Sequence, residues 1–194
     1  MKVTKAQAQA NRVHIVETAS TLFRERGYDG VGVAELMATA GFTHGGFYKH
    51  FRSKADLMAE AAICGFSQTA ARSKGVNIVE FIKSYVSRRH RDARSDGCTL
   101  AALGGDAARQ TEAIKMTFAE GIESLLAGIE RDGSMLSDGD RQQARAKAID
   151  ILAHAVGAVV LSRACPDDSP LTDEILTVCR AEILASLTPS ASTS

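Results

Sequence analysis

Apolar residues recur at intervals of three and four along almost the whole chain, and this spacing limits the fold more than any other feature. Val13, Val16, Ala19, Leu22 and Phe23 form one such stripe, and Ile78, Phe81, Ile82, Tyr85 and Val86 form another. No stretch alternates apolar with polar residues as a half-buried strand would, and no internal repeat occurs. With 45% hydrophobic and 24% charged residues, the chain has ample material for a core. The expectation is an all-α protein of about nine helices, an N-terminal three-helix domain carrying a helix-turn-helix followed by a C-terminal helical bundle.

Glycines and capping residues divide the pattern. A first helix spans about Ala8 to Arg26 and stops at Gly27. A short second covers Val33 to Ala40, with Ala34, Leu36, Met37 and Ala40 inward, and ends at Gly41. A third follows from His44 to His50, with Thr43 at its N-cap. Ser53 opens a long fourth, where "SKAD" fits a capping box with Asp56 in the reciprocal role. Further helices run from Asn77 to Arg89, within "CTLAALGGDAAR", from Glu112 to Arg131, from Asp140 to Ala164 and from Leu171 to Leu187. "DGSMLSDGD" reads as a break and "TPSASTS" as a frayed tail. Domains are expected at 1–52 and 53–194.

The stretch "ELMATAGFTHGGFYKHFRSKADL" concentrates the chemistry. Two short helices joined by "GFT" match a helix-turn-helix. With Phe47 and Phe51 turned inward, the other side presents Thr43, His44, Gly45, Tyr48 and Lys49. A glycine inside a helix costs about 1 kcal/mol against alanine, so the pair Gly45–Gly46 calls for a reason. Close approach of the backbone to DNA supplies one, since a recognition helix enters the major groove by its N-terminal end. Thr43 and His44 are candidates for base edges or nearby phosphates; Tyr48, Lys49, His50 and Lys54 suit the phosphate backbone. Charge agrees. The formal net charge is zero, yet residues 1–54 hold eight basic and four acidic groups, leaving a surplus of four acidic groups on the remainder.

"AGFTHGGFYKHFRSKADL" resembles the recognition segment of the TetR family of bacterial transcriptional regulators, and "IVETASTLFRERGYDGVGVAEL" resembles that family's first helix and its entry into the second. The resemblance covers about residues 10–60. It rests on Thr43, Gly45, the Phe47–Tyr48 pair, the aromatic at 51, and Lys54 followed by Leu57. It implies a homodimer on a palindromic double-stranded operator, usually a repressor, released by a small molecule in the C-terminal domain. By position it puts Thr43, His44 and Gly45 at the groove and Tyr48 on the family's phosphate-contacting tyrosine. It also puts Lys54 on the lysine that opens the fourth helix and His50 at a position often held by histidine or tyrosine.

The last two helices are apolar around most of their circumference. On pattern alone they are either a buried core pair or a dimer interface; the resemblance favours the interface, through Ile151, Leu152, Ala155, Val156, Val159, Ile175, Val178 and Ile183. Ile63, Phe66, Phe81, Tyr85, Leu103, Met116 and Phe118 either line an effector cavity or fill a core. Cys98 follows "SDG" at a helix start with Arg91 and Arg94 near in sequence, a setting that can lower a thiol's pKa. "DGCTLAALGGDAAR" resembles the matching segment of a subgroup of the same family, so a thiol-based sensor of oxidants or electrophiles is an alternative, beside packing of a small residue.

Four scattered cysteines without a Cys-x-x-Cys pair argue against a zinc module or disulfide scaffold. No metal, no cofactor and no membrane partner are expected, and the setting is the cytoplasm. "HRDARSDG" lacks the remaining parts of a kinase, and "LGGD" has no strand before it. No nucleophile–base arrangement stands out, so an enzyme is not expected. The rival from another class is a helical ligand-binding or adaptor protein whose helix-turn-helix is scaffold only.

Overall fold

The computed structural model describes residues 4–132 and 141–187. Within them lie nine α-helices and one 3-10 segment, and no strand. The helices are α1 (Lys5–Arg26), α2 (Val33–Thr39), α3 (Lys54–Ser73), α4 (Ile78–Tyr85), α5 (Arg88–Asp92), α6 (Thr99–Ala107), α7 (Glu112–Asp132), α8 (Arg141–Ala164) and α9 (Pro170–Leu187). The 3-10 segment, His44–Lys49, lies between α2 and α3. The expected break after Asp132, the expected start at Asp140 and the tail fall outside the described residues.

The chain forms two compact units, one of residues 4–69 and 94–121, the other of 70–93, 122–132 and 141–187. Most of α3 and all of α6 share the unit of the helix-turn-helix, with α6 packed on α1, which is long enough to need cover beyond the two short helices.

In the first unit, α1 begins earlier than its apolar stripe suggests, since the Thr4 hydroxyl accepts from Gln7 N–H at 3.1 Å. The buried face of α1 also differs. Ile15, Ala19, Ser20, Phe23 and Arg24 are buried, whereas Val13 is exposed and Val16 and Leu22 are half-buried. The helix stops at Gly27, at φ +77°, with its N–H donating to Phe23 O at 2.8 Å. α2 ends in a Schellman motif: Gly41, at φ +80°, donates to Ala38 O and Phe42 donates to Met37 O. Leu36, Met37 and Ala40 are buried as expected, but Ala34 is exposed.

In the second unit, the helix expected over Asn77 to Arg89 is two helices. Val86 leaves the helical region at ψ 67°, and the Ser87 hydroxyl starts α5 by accepting from His90 N–H. Arginines lock this corner. Arg91, buried, donates to Ser162 O and Cys165 O near the end of α8 and pairs with Asp167 at 2.5 Å. Arg163 donates to the carbonyls of Arg91 and His90, and Arg180 to that of Val86. α8 packs along α9, and the Ser162 hydroxyl donates to Thr172 O at 3.0 Å.

Candidate nucleic-acid interface

The segment after the turn is a 3-10 helix, not the expected α-helix. Its bonds run from Gly46 N–H to Thr43 O and from His50 N–H to Phe47 O, each at 2.9 Å. Six residues with two glycines are too few and too weak in propensity to sustain an α-helix, so the tighter turn results. Thr43 holds the N-cap position without a side-chain capping bond, which leaves its hydroxyl available.

Phe47 alone of this segment is buried, packed 5.2 Å edge-on from the Tyr48 ring and 5.4 Å from Phe51. The residues around it turn out. Thr43, His44, Gly45, Tyr48 and Lys49 are exposed, Tyr48 at 69%, and His50 is half-buried. The His44 ring lies 6.4 Å from Tyr48, so the two form one aromatic–imidazole surface beside Lys49. A Cβ built on Gly45 would meet nothing within 4 Å; one on Gly46 would touch Met37 Cε and Thr43 Oγ1 at 3.7 Å. Nothing inside the protein requires Gly45 to be bare.

Lys54 is placed differently from the expectation. Its ammonium is half-buried, donates to Tyr28 O at 2.5 Å and lies 5.9 Å from the Phe23 ring. Its first engagement is thus internal, because the carbonyl of the turn after α1 faces the first turn of α3. The expected capping box is present in shifted form: Ser53 Oγ accepts from Asp56 N–H, and Asp56 accepts from Arg52 N–H.

Two further residues brace this unit and carry no local sequence signal. The Arg12 guanidinium grips the Glu60 carboxylate, donates to His50 O at 3.3 Å and lies 4.7 Å over the Phe51 ring. Asp106, on α6, accepts from Tyr28 N–H at 2.9 Å.

The residues of the expected effector group are divided between the two units. Phe66 and Phe118 pack edge-to-face at 5.3 Å in the first unit, where Leu103 is also buried. Phe81 and Tyr85 pair at 5.4 Å in the second. Ile63 and Met116 face outward, at 51% and 58% exposure, because their helix positions fall off the buried stripes of α3 and α7. Cys98 is the N-cap residue of α6, buried at 3%. Of the expected interface residues, Ile151, Ala155, Val159 and Ile183 are buried within the protomer. Leu152, Val156 and Ile175 are half-buried and Val178 is exposed. Ile149, Val160, Leu161 and Leu171 are exposed as well.

Among the described residues no group of three or more His, Cys, Asp or Glu could hold a metal ion, and no helix is long and apolar enough to cross a membrane.

Residues 15–61 match the family model described as "Bacterial regulatory proteins, tetR family". The chain is 40% identical to the HTH-type transcriptional regulator AcrR of Shigella flexneri over 57 residues, 29% of this chain and 26% of that protein. It is 25% identical to the HTH-type transcriptional repressor NemR of Escherichia coli (strain K12) over 126 residues, 60% of this chain and 63% of that protein. The match to AcrR thus spans about a quarter of that relative's length. The fold is similar to that of reduced E. coli NemR, with a TM-score of 0.74 at 19% identity over 90% of this chain and 95% of that one. It is also similar to a TetR transcriptional regulator from Chloroflexus aurantiacus J-10-FL, with a TM-score of 0.76 at 21% identity over 94% and 96%.

Proposed function

We propose, from the chain's membership of the TetR family of bacterial regulatory proteins, that it is a sequence-specific DNA-binding transcriptional regulator that occupies a palindromic operator as a homodimer and acts as a ligand-released repressor. The observation that carries the reading is the outward face of the 3-10 segment. Thr43, His44, Gly45, Tyr48 and Lys49 are exposed together, while Phe47 is buried beneath them. Thr43 and His44 read base edges; Tyr48, Lys49 and His50 contact phosphates and fix register. Lys54 serves DNA binding indirectly, by holding the turn after α1.

The second copy docks on the exposed side of α8 and α9. Ile149, Val156 and Val160 fall on one stripe of α8, and Gly157, where a Cβ would meet nothing within 4 Å, leaves room for close approach. Leu171, Ile175 and Val178 form the matching stripe of α9. In such a dimer the two recognition segments reach successive major grooves, about 34–36 Å apart. The ligand that releases it from DNA is a small molecule held in the C-terminal part of the chain. Burial of Cys98 weighs against a thiol switch, since a reactive cysteine needs access to its reagent. An adaptor would have no use for a basic surplus gathered at the end that carries the exposed segment.

A gel-shift of the purified protein against DNA flanking its own gene, at several salt concentrations, tests this. A discrete complex on one fragment, weakening steeply with salt, is expected. Absence of any complex there and in binding-site selection from random DNA, with a ligand-free protein, overturns the reading.

A further inference from the structure

The start of α1 buries nothing in the protomer. Its first buried residue is Ile15, so residues 5–14 form about 15 Å of helix with no face covered. The end of this stretch is nonetheless closed, by the Thr4 hydroxyl accepting from Gln7 N–H at 3.1 Å. A helical piece that is capped but packs against little needs a partner outside the protomer.

One side of it leads to the recognition segment. Gln7, Asn11 and His14 follow one another at spacings of four and three and so share a face. Gln7 and His14 are exposed and Asn11 is half-buried. Gln7 Nε2 donates to Asn11 Oδ1 at 2.8 Å, a bond that leaves both N–H groups of the Asn11 amide available. The His14 ring stands edge-on to Phe42, with centroids 6.3 Å apart. Phe42 directly precedes Thr43, where the outward face of the recognition segment begins. Two residues back, Arg12 Nε donates to His50 O, at that segment's other end. The stripe on α1 therefore continues the polar surface on which Thr43 and His44 lie.

Its charge selects the partner. No acidic residue precedes Glu17, whereas Lys2, Lys5 and Arg12 are basic. Glu60, the carboxylate bonded to this stretch, is neutralised by Arg12. A surface of amide, imidazole and ammonium donors suits a polyanion.

We infer that Gln7, Asn11 and His14 form a second DNA contact, on the sugar–phosphate backbone beside the groove that the recognition segment enters. Such donors hold phosphates without reading sequence. The inference rests on the DNA-binding reading and widens its footprint: the stripe adds affinity for all duplexes and leaves the preference among operators unchanged.

The test compares the full-length protein with Asn11→Asp, His14→Ala and Gln9→Glu. Gln9 lies nearly opposite Asn11 on the helix, so Gln9→Glu makes the same change of charge away from the stripe. Affinity and ethylation interference, which reports single phosphates, are measured on the fragment that the unaltered protein shifts. Asn11→Asp is expected to lose affinity about tenfold and His14→Ala about threefold, on operator and unrelated DNA alike, with Gln9→Glu close to the unaltered protein. Both stripe variants are expected to lose interference at the same few phosphates and keep it elsewhere, with melting temperatures unchanged. Equal losses in Asn11→Asp and Gln9→Glu overturn the inference, as does an unchanged interference pattern. Monomers of Asn11→Asp by sedimentation, with that pattern unchanged, would assign the stripe to a second copy instead and overturn it too. If the unaltered protein shifts no DNA at all, the DNA-binding reading falls first and takes this inference with it.

Discussion

Gly45 separates what the protein needs for itself from what its partner needs. A Cβ there touches nothing, so Gly45→Ala is expected to keep or slightly raise the melting temperature, because alanine favours helical backbone. The same change is expected to cost operator affinity at least tenfold, because the methyl group stands where the DNA approaches; this is checked by gel-shift on the folded variant. Lys49→Ala should weaken binding to all sequences and reduce the salt slope by about one. His44→Ala should instead change the ranking of operator variants, by about 1–3 kcal/mol at the base pair it reads. A uniform loss with unchanged ranking would contradict base readout.

At the scale of the elements, another glycine behaves oppositely. Gly65, on α3, would place a Cβ 2.2 Å from Thr99 Oγ1 and 2.7 Å from Arg24 Nη1, where α1, α3 and α6 converge. Gly65→Ala is therefore expected to lower stability by about 1–3 kcal/mol, measured by denaturant unfolding. In the second unit, His90 lies 4.4 Å from the Tyr85 ring and donates to Tyr85 O at 2.7 Å. Burial lowers its pKa, and the charges of Arg163 and Arg72 act in the same direction. The folded state thus holds His90 neutral while the unfolded chain binds a proton near its ordinary value. Stability is expected to fall as pH drops through about 6.5, and less in His90→Gln, by thermal unfolding at pH 7 and pH 5. Helix number and most boundaries were legible because glycines, caps and the apolar period act locally. The 3-10 form of the recognition segment was not, since propensity alone does not distinguish a short α-helix from a tighter turn. Nor were Arg12 and Asp106, whose partners lie 48 and 78 positions away. The outward residues of the recognition segment were legible, because a single inward phenylalanine fixes the orientation of so short a helix.

For the whole molecule, the distinction is between residues that hold one copy together and those that meet a second. Ile151 is buried in the protomer and Val160 is not. Ile151→Ala is expected to cost about 2–5 kcal/mol of stability. Val160→Asp should leave each protomer folded but monomeric by sedimentation, and abolish operator binding, because a half-site alone gives up the second set of contacts. A Val160→Asp protein that still sediments as a dimer would remove this face from consideration. The apolar period marked α8 and α9 as important but could not assign their two sides, since core and interface draw on the same residue types.

The recognition segment also bears on how such a protein diversifies. Its buried side chain is Phe47, and Thr43, His44 and Lys49 face outward. Changes at 43, 44 and 49 are therefore close to free of a stability penalty, and the three positions can drift or be randomised together. A new target sequence lies a few surface substitutions away, reachable through intermediates that all still fold.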